Sequence, residues 1–141
     1  MKKITAFTNF LNWIKTTEMF ARPSKQLPGK WNLFEYYIEK EGDLIHIKEE
    51  QLKAENLKWQ IDFLEDEKYK HNSNLNVAYL SNIEDGTWST SKNFITLIHP
   101  ENFRNNIEFQ FAIEKGNLKL LRKDELGKIE FFGFFRKQNS K

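Results

Sequence analysis

Two short segments with alternating apolar and polar residues constrain this fold more than any other feature of the sequence. Residues 57–63 read Leu-Lys-Trp-Gln-Ile-Asp-Phe, and residues 107–113 read Ile-Glu-Phe-Gln-Phe-Ala-Ile. Alternation over about four to eight residues is typical of a half-buried strand, because successive side chains of a strand point to opposite faces. The chain is therefore expected to build a sheet that buries one of its faces.

Further strand-like segments, separated by turn signals, follow one another from Gly29 to Lys137. Since they are closely spaced and joined by short turns, the sequence predicts a mainly β, antiparallel meander of seven or eight strands. A meander of this size is expected to close into a barrel or to fold over as a sandwich, because open sheet edges invite aggregation. Residues 44–56 have no single interpretation, because 44–47 fit a short strand and 48–55 favour helix. The predicted strands are residues 30–39, 57–63, 68–71, 75–81, 87–99, 107–113, 118–122 and 128–137.

An amphipathic helix is predicted before the barrel, over residues 3–21, where apolar residues recur with a period near 3.6. Pro23 ends it, so residues 1–28 form a helix and linker and residues 29–141 form the barrel domain. The apolar stripe of this helix needs a cover. Packing on the barrel is the default interpretation, a protein partner or a second copy is the next, and a membrane surface is the third.

Composition removes several classes of function. The chain has 22 basic and 20 acidic residues, a net charge of +2, and these charges alternate along it, which disfavours nucleic acid as a partner. Without cysteine it has no disulfide and no thiol chemistry. No apolar run approaches the length of a membrane span, and Thr5, Thr8 and Asn9 interrupt any signal-peptide pattern. The protein is therefore expected to be cytoplasmic.

Gly29-Lys30-Trp31 resembles the opening strand of a lipocalin-like (calycin-type) protein, and the order of later motifs is similar to that of small bacterial lipocalin-like domains. These later motifs are the strand Trp59 to Phe63 and the hairpin Gly86-Thr87-Trp88. The resemblance implies that Trp31 closes one end of the barrel and that Arg136, on the last strand, packs across its ring. Attraction between a guanidinium and an indole gives that pairing a physical reason.

Aromatic residues form 15% of the chain. Barrel mouths are common places for ligands, and ligand sites are mostly apolar. The predicted lining of such a cavity is Trp59, Phe63, Phe94, Phe109, Phe111, Phe132 and Phe134. The alternative is that these rings fill a narrow barrel, since eight strands enclose just enough space for side chains or for one small ligand.

No catalytic motif is found in the sequence. His46, His71 and His99 lack metal-ligand spacing, and the carboxylates at 65–67 and 124–125 are consecutive residues in predicted turns. We therefore expect no metal, no cofactor and no enzymatic activity. The interpretation is a non-catalytic binding protein that holds a small hydrophobic ligand. The alternative is a protein–protein interaction module, such as an inhibitor, immunity or assembly protein, which uses residues 3–21 or the barrel surface.

Overall fold

The computed structural model describes residues 26–75, 85–102, 104 and 106–138. The predicted helix over residues 3–21, and most of the predicted strand over residues 75–81, lie outside these ranges. The described residues form nine strands and one short helix. The strands are β1 (Gly29–Lys40), β2 (Asp43–Ile47), β3 (Trp59–Phe63), β4 (Lys68–Ser73), β5 (Gly86–Ser91), β6 (Phe94–Ile98), β7 (Ile107–Glu114), β8 (Asn117–Lys123) and β9 (Ile129–Lys137), and helix α1 spans Glu49–Ala54.

Eight of these strands close into an antiparallel barrel. Their order is β1-β3-β4-β5-β6-β7-β8-β9, and β9 pairs again with β1. Every strand of the ring therefore has a partner on both sides, which removes the open edges of a sheet. The predicted class, a mainly β antiparallel meander that closes into a barrel, is confirmed.

Strand β1 is long enough to pair with three others. Residues 29–32 pair with β3, residues 36–40 pair with β2, and residues 31–37 pair with β9 on the opposite edge. The pairing with β9 shifts by one residue at Phe34, which is a β-bulge. The bulge exchanges the two faces to which the following side chains point. Trp31 before the bulge and Tyr36 after it therefore both lie in the main core.

Helix α1 connects β2 to β3 and lies beside the segment of β1 that neither of them pairs. Glu49 and Glu50 occupy its first turn and Lys53 its last, which matches the helix dipole. Leu52 is buried in the main core and so anchors the helix on the barrel. The predicted strand over residues 44–47 and the helical preference of residues 48–55 agree with these elements.

The main core fills the interior of the barrel. In β7, Ile107, Phe109 and Phe111 alternate with polar or outward residues, and in β8 Leu118 and Leu120 do the same. A second, smaller cluster consists of Leu121, Ile129 and Phe132, with Tyr37, Leu44 and Phe134 packed against it. It is separate from the main core, because these side chains pack on the outer side of β1, β8 and β9.

Two predicted boundaries are wrong. Residues 87–99 do not form one strand, because a turn at Lys92-Asn93 divides them into β5 and β6. Lys92 adopts a positive φ of 57° without glycine, so the turn has no strong sequence signal. The predicted strand over residues 68–71 ends two residues too early, because Asn72 and Ser73 continue β4 and pair with Gln60 and Trp59.

Candidate functional site

The lower end of the barrel, where β1 begins and β9 ends, is closed. Trp31 is 1% exposed, and its indole Nε1–H donates to the carbonyl oxygen of Leu27 at 2.8 Å. Leu27 is itself fully buried. The ammonium of Lys137 lies 5.4 Å from the centroid of the Trp31 ring. A hydrogen bond, a buried leucine and a cation thus hold the segment before β1 across this end.

The predicted partner of Trp31 is wrong by one residue. Arg136 does not cross the indole, because Trp31 pairs in register with Lys137 and Arg136 pairs with Asn32. Since side chains alternate along a strand, Arg136 points to the outer face. There its guanidinium lies 4.1 Å from the Phe34 ring centroid.

Arg136 also connects β9 to helix α1. Its Nη1 donates to a carboxylate oxygen of Glu49 at 3.0 Å. This hydrogen bond, with smaller electrostatic contributions from Arg136 and Lys53, lowers the pKa of Glu49. The ion pair borders a shallow groove of about 280 Å³ whose apolar floor includes Leu33, Phe34 and Leu52.

Five aromatic rings meet inside the barrel, above the closed end; we call them the Trp59 cluster. Trp59 packs edge to face on Phe131 and on Phe135, both at 5.3 Å between centroids, and lies 6.2 Å from Phe109. Tyr36 stacks on Phe131 with 5.4 Å between the ring centroids. All five residues belong to the main core, so the centre of the barrel is aromatic.

Four of the seven predicted lining residues face the interior. Trp59 and Phe109 belong to the Trp59 cluster, and Phe111 is 3% exposed in the same core. Phe63 is 1% exposed and packs edge to face on Trp88 at 5.6 Å. The structure therefore brings Trp59, Phe63, Phe109 and Phe111 into one interior.

The prediction that Phe94, Phe132 and Phe134 line the interior is wrong, because these residues lie on the outer face. Phe94 is 38% exposed, while its neighbour Ile95 is fully buried in the core. Phe132 and Phe134 pack with each other at 4.7 Å in the outer cluster. A strand offers alternate residues to its two faces, so a one-residue error in phase moves a ring from the core to the outside.

Three rings of the Trp59 cluster were not among the predicted lining residues: Tyr36, Phe131 and Phe135. In the segment Phe131-Phe132-Gly133-Phe134-Phe135 both faces carry aromatic residues, so alternation alone does not tell them apart. A usable signal was present nonetheless. Glu130 and Arg136 lie on the same face of the strand as Phe132 and Phe134. Charged residues on that face indicate that it is the outer face. For Tyr36, the bulge at Phe34 hid the phase.

The outer face carries a polar and aromatic arrangement of its own. His46 stacks on Tyr37 with centroids 4.2 Å apart, and its Nε2 lies 2.6 Å from a carboxylate oxygen of Glu35. Burial, and then the negative charge of Glu35, raise the pKa of Tyr37. Each member has a partner within the group, so the arrangement joins β1 to β2.

Among residues 26–75, 85–102, 104 and 106–138, no group of three or more His, Asp or Glu residues is placed to hold a metal ion. His46 is bound to Glu35, whereas His99 accepts backbone hydrogen bonds from Glu101 and Asn102 through Nδ1. The carboxylates of residues 65–67 are exposed at the turn between β3 and β4.

Comparison with known proteins agrees with this geometry. The sequence pattern of the lipocalin-like domain matches residues 27–120, which run from the buried Leu27 to the inward-facing Leu120 of β8. The chain belongs to the lipocalin-like domain family. The match covers Leu27 and Trp31 of the closed end and the barrel wall from β1 into β8, so the lipocalin-like resemblance seen from Gly29 to Trp31 is confirmed.

Two other comparisons give no match: no curated protein and no solved structure matches the chain. Within the part of the chain that the structure describes, no helix has both the length and the apolar character needed to cross a membrane.

Proposed function

We propose that this lipocalin-like protein is a non-catalytic binding protein that holds a small hydrophobic ligand in its barrel. The observation that carries the proposal is the aromatic interior of a closed barrel. The Trp59 cluster brings five rings together, and Phe63 and Phe111 extend the same apolar wall. Pockets for small molecules are typically lined by apolar and aromatic side chains, and the mouths of barrels are a preferred place for them.

The closed lower end favours entry from the opposite, upper end. Leu27, Trp31 and Lys137 occupy the lower end. Along β1, Tyr36 and the half-buried Ile38 follow Trp31 toward the upper end, and Tyr36 stacks on Phe131. A ligand that enters from the upper end therefore contacts Ile38 and Tyr36 first. It then reaches the rest of the Trp59 cluster without disturbing the closed end.

The chemistry of the wall selects the ligand. The rings of the Trp59 cluster carry no charge, and burial of an unpaired ion among them would be costly. Burial of apolar surface is worth about 25 cal/mol per Å². A neutral, mostly apolar molecule therefore gains the most binding free energy from contact with these rings, and an ionic molecule gains the least.

Ligand capture can be tested directly. Protein purified without denaturation is measured by native mass spectrometry, and its solvent extract is compared with that of protein refolded from denaturant. In parallel, both preparations are titrated with the neutral dye N-phenyl-1-naphthylamine, whose fluorescence rises in apolar surroundings. We expect an added mass in the first preparation, or saturable binding of the dye by the refolded protein. Absence of both would contradict the proposal.

A matched pair of variants locates the binding. Phe109→Leu changes a fully buried ring of the interior, whereas Phe94→Leu makes the same change on the outer face, where the ring is 38% exposed. We expect Phe109→Leu to weaken dye binding several-fold and Phe94→Leu to leave it unchanged. Equal effects of the two substitutions would place the dye outside the barrel and would refute interior binding.

A further inference from the structure

We infer that the indole N–H of Trp59 is the polar anchor of the barrel, and that its ligand is a neutral apolar molecule bearing a carbonyl-type acceptor oxygen. This inference rests on the proposed function and adds the chemical class of the ligand. It is carried by a difference among the indole groups of the chain. Buried Trp N–H groups usually find a hydrogen-bond partner.

The other two described indoles are satisfied by backbone carbonyls. Trp31 donates to the carbonyl of Leu27 at 2.8 Å, and Trp88 donates to that of Leu64 at 3.2 Å. Trp59 is 1% exposed, and its Nε1 has no acceptor among the residues that the structure describes. One indole donor is thus left over, and it lies in the interior rather than at the closed end.

The surroundings of Trp59 are aromatic. Its nearest rings are Phe131 and Phe135, both edge to face, and Phe109. A ring face is only a weak acceptor for an N–H group. Phenylalanine would offer a similar apolar surface without a donor, so the indole adds a directional N–H donor to this wall, beside the hydroxyl of Tyr36.

The charge of the surroundings decides what kind of acceptor fits. The rings of the Trp59 cluster supply one N–H donor and no cation. A carboxylate would be buried there without a counter-charge, which costs far more than one hydrogen bond returns. A ketone, aldehyde, ester or amide oxygen needs only a donor. The geometry therefore favours a neutral carbonyl over an acid.

The test compares two ligands that differ in one oxygen atom. 2-Acetylnaphthalene carries a carbonyl, and 2-ethylnaphthalene has the same rings and the same number of carbon atoms without it. Each is titrated into ¹⁵N-labelled protein and followed by two-dimensional NMR. We expect the acetyl compound to bind about 2- to 12-fold more tightly, as the net contribution of one hydrogen bond provides. We also expect the Nε1–H resonance of Trp59 to move downfield with the acetyl compound alone.

Two variants provide the controls. Trp59→Phe removes the anchor and should abolish the preference for the acetyl compound while retaining binding of the ethyl compound. Trp88→Phe removes an indole whose N–H already has a carbonyl partner, so it should keep the preference. If Trp59→Phe does not fold, the shift of the indole resonance in the unmodified protein decides the question.

The outcomes separate the two proposals. Equal binding of both compounds, or a preference that survives in Trp59→Phe, overturns the anchor and leaves the binding function standing. A shift of the Trp88 indole in place of that of Trp59 also overturns it. If neither compound binds the unmodified protein, the proposed function fails together with the anchor.

Discussion

Gly133 is the position at which a single added methyl group should disturb the interior most. An ideal Cβ at this residue would lie 2.3 Å from Cζ of Phe131 and 3.0 Å from Cδ1 of Leu33. Carbon atoms in favourable contact are about 3.5–4.0 Å apart, so the Phe131 ring would have to move by more than about 1 Å. That ring is fully buried and packs on both Tyr36 and Trp59, so a movement of this size would disturb the neighbouring rings.

The expected cost of Gly133→Ala follows from this contact. Overpacking of a well-filled core typically costs about 1–3 kcal/mol. No strained backbone is involved, because Gly133 is not among the residues with positive φ. The change also reduces the entropy of the unfolded chain, which opposes the loss by about 0.4–1 kcal/mol. We expect a net loss of about 1–2 kcal/mol, equivalent to a fall of several degrees in Tm.

Urea unfolding followed by far-UV circular dichroism measures this loss. The matched background is Phe131→Leu, in which the ring that meets the new methyl group is absent. If the clash is the cause, Gly133→Ala should cost much less in that background. Gly42→Ala is a second comparison, because nothing lies within 4 Å of its Cβ, although its φ of +81° introduces backbone strain. A stability of Gly133→Ala equal to that of the unmodified protein would refute the reasoning, as would an equal loss in both backgrounds.

Two further predictions concern the closed end and the helix. Trp31→Phe should lower the free energy of unfolding by about 1–3 kcal/mol, because the carbonyl of the buried Leu27 loses its donor; an unchanged urea midpoint would contradict this. For Glu49, the hydrogen bond from Arg136 lowers the pKa of the carboxyl in the folded state, so this pairing stabilises the protein when Glu49 is ionised and is lost as the pH falls through the lowered pKa. The difference in stability between the unmodified protein and Glu49→Gln should therefore shrink between roughly pH 6 and pH 3, and a constant difference over that range would show that the pair contributes nothing.

Correlation of the sequence with the structure is closest where a pattern has one interpretation. The segments 57–63 and 107–113 alternate with polar residues on one face only, and Trp59, Phe109 and Phe111 are buried as predicted. Gly29-Lys30-Trp31 led to the family, and Trp31 is buried where the resemblance placed it. The class of fold and most strand positions followed from local signals of this kind.

The interior rings of β9 and the partner of Trp31 required the closed barrel. Phe131 and Phe132 are equally apolar, so only the pairing of β9 with both β1 and β8 decides which ring faces inward. The same register places Lys137, and not Arg136, beside Trp31. A one-residue change in register exchanges the two faces of a strand, and no local pattern records it when both faces are apolar.

The sequence by itself determined that this chain forms an antiparallel meander, because strand periodicity and turn residues act over a few neighbouring positions. Tertiary structure alone decided which rings meet inside. It also decided that the indole of Trp59 lacks the carbonyl partner that Trp31 and Trp88 have. Hydrogen-bond satisfaction depends on residues distant along the chain, which closure of the barrel brings together.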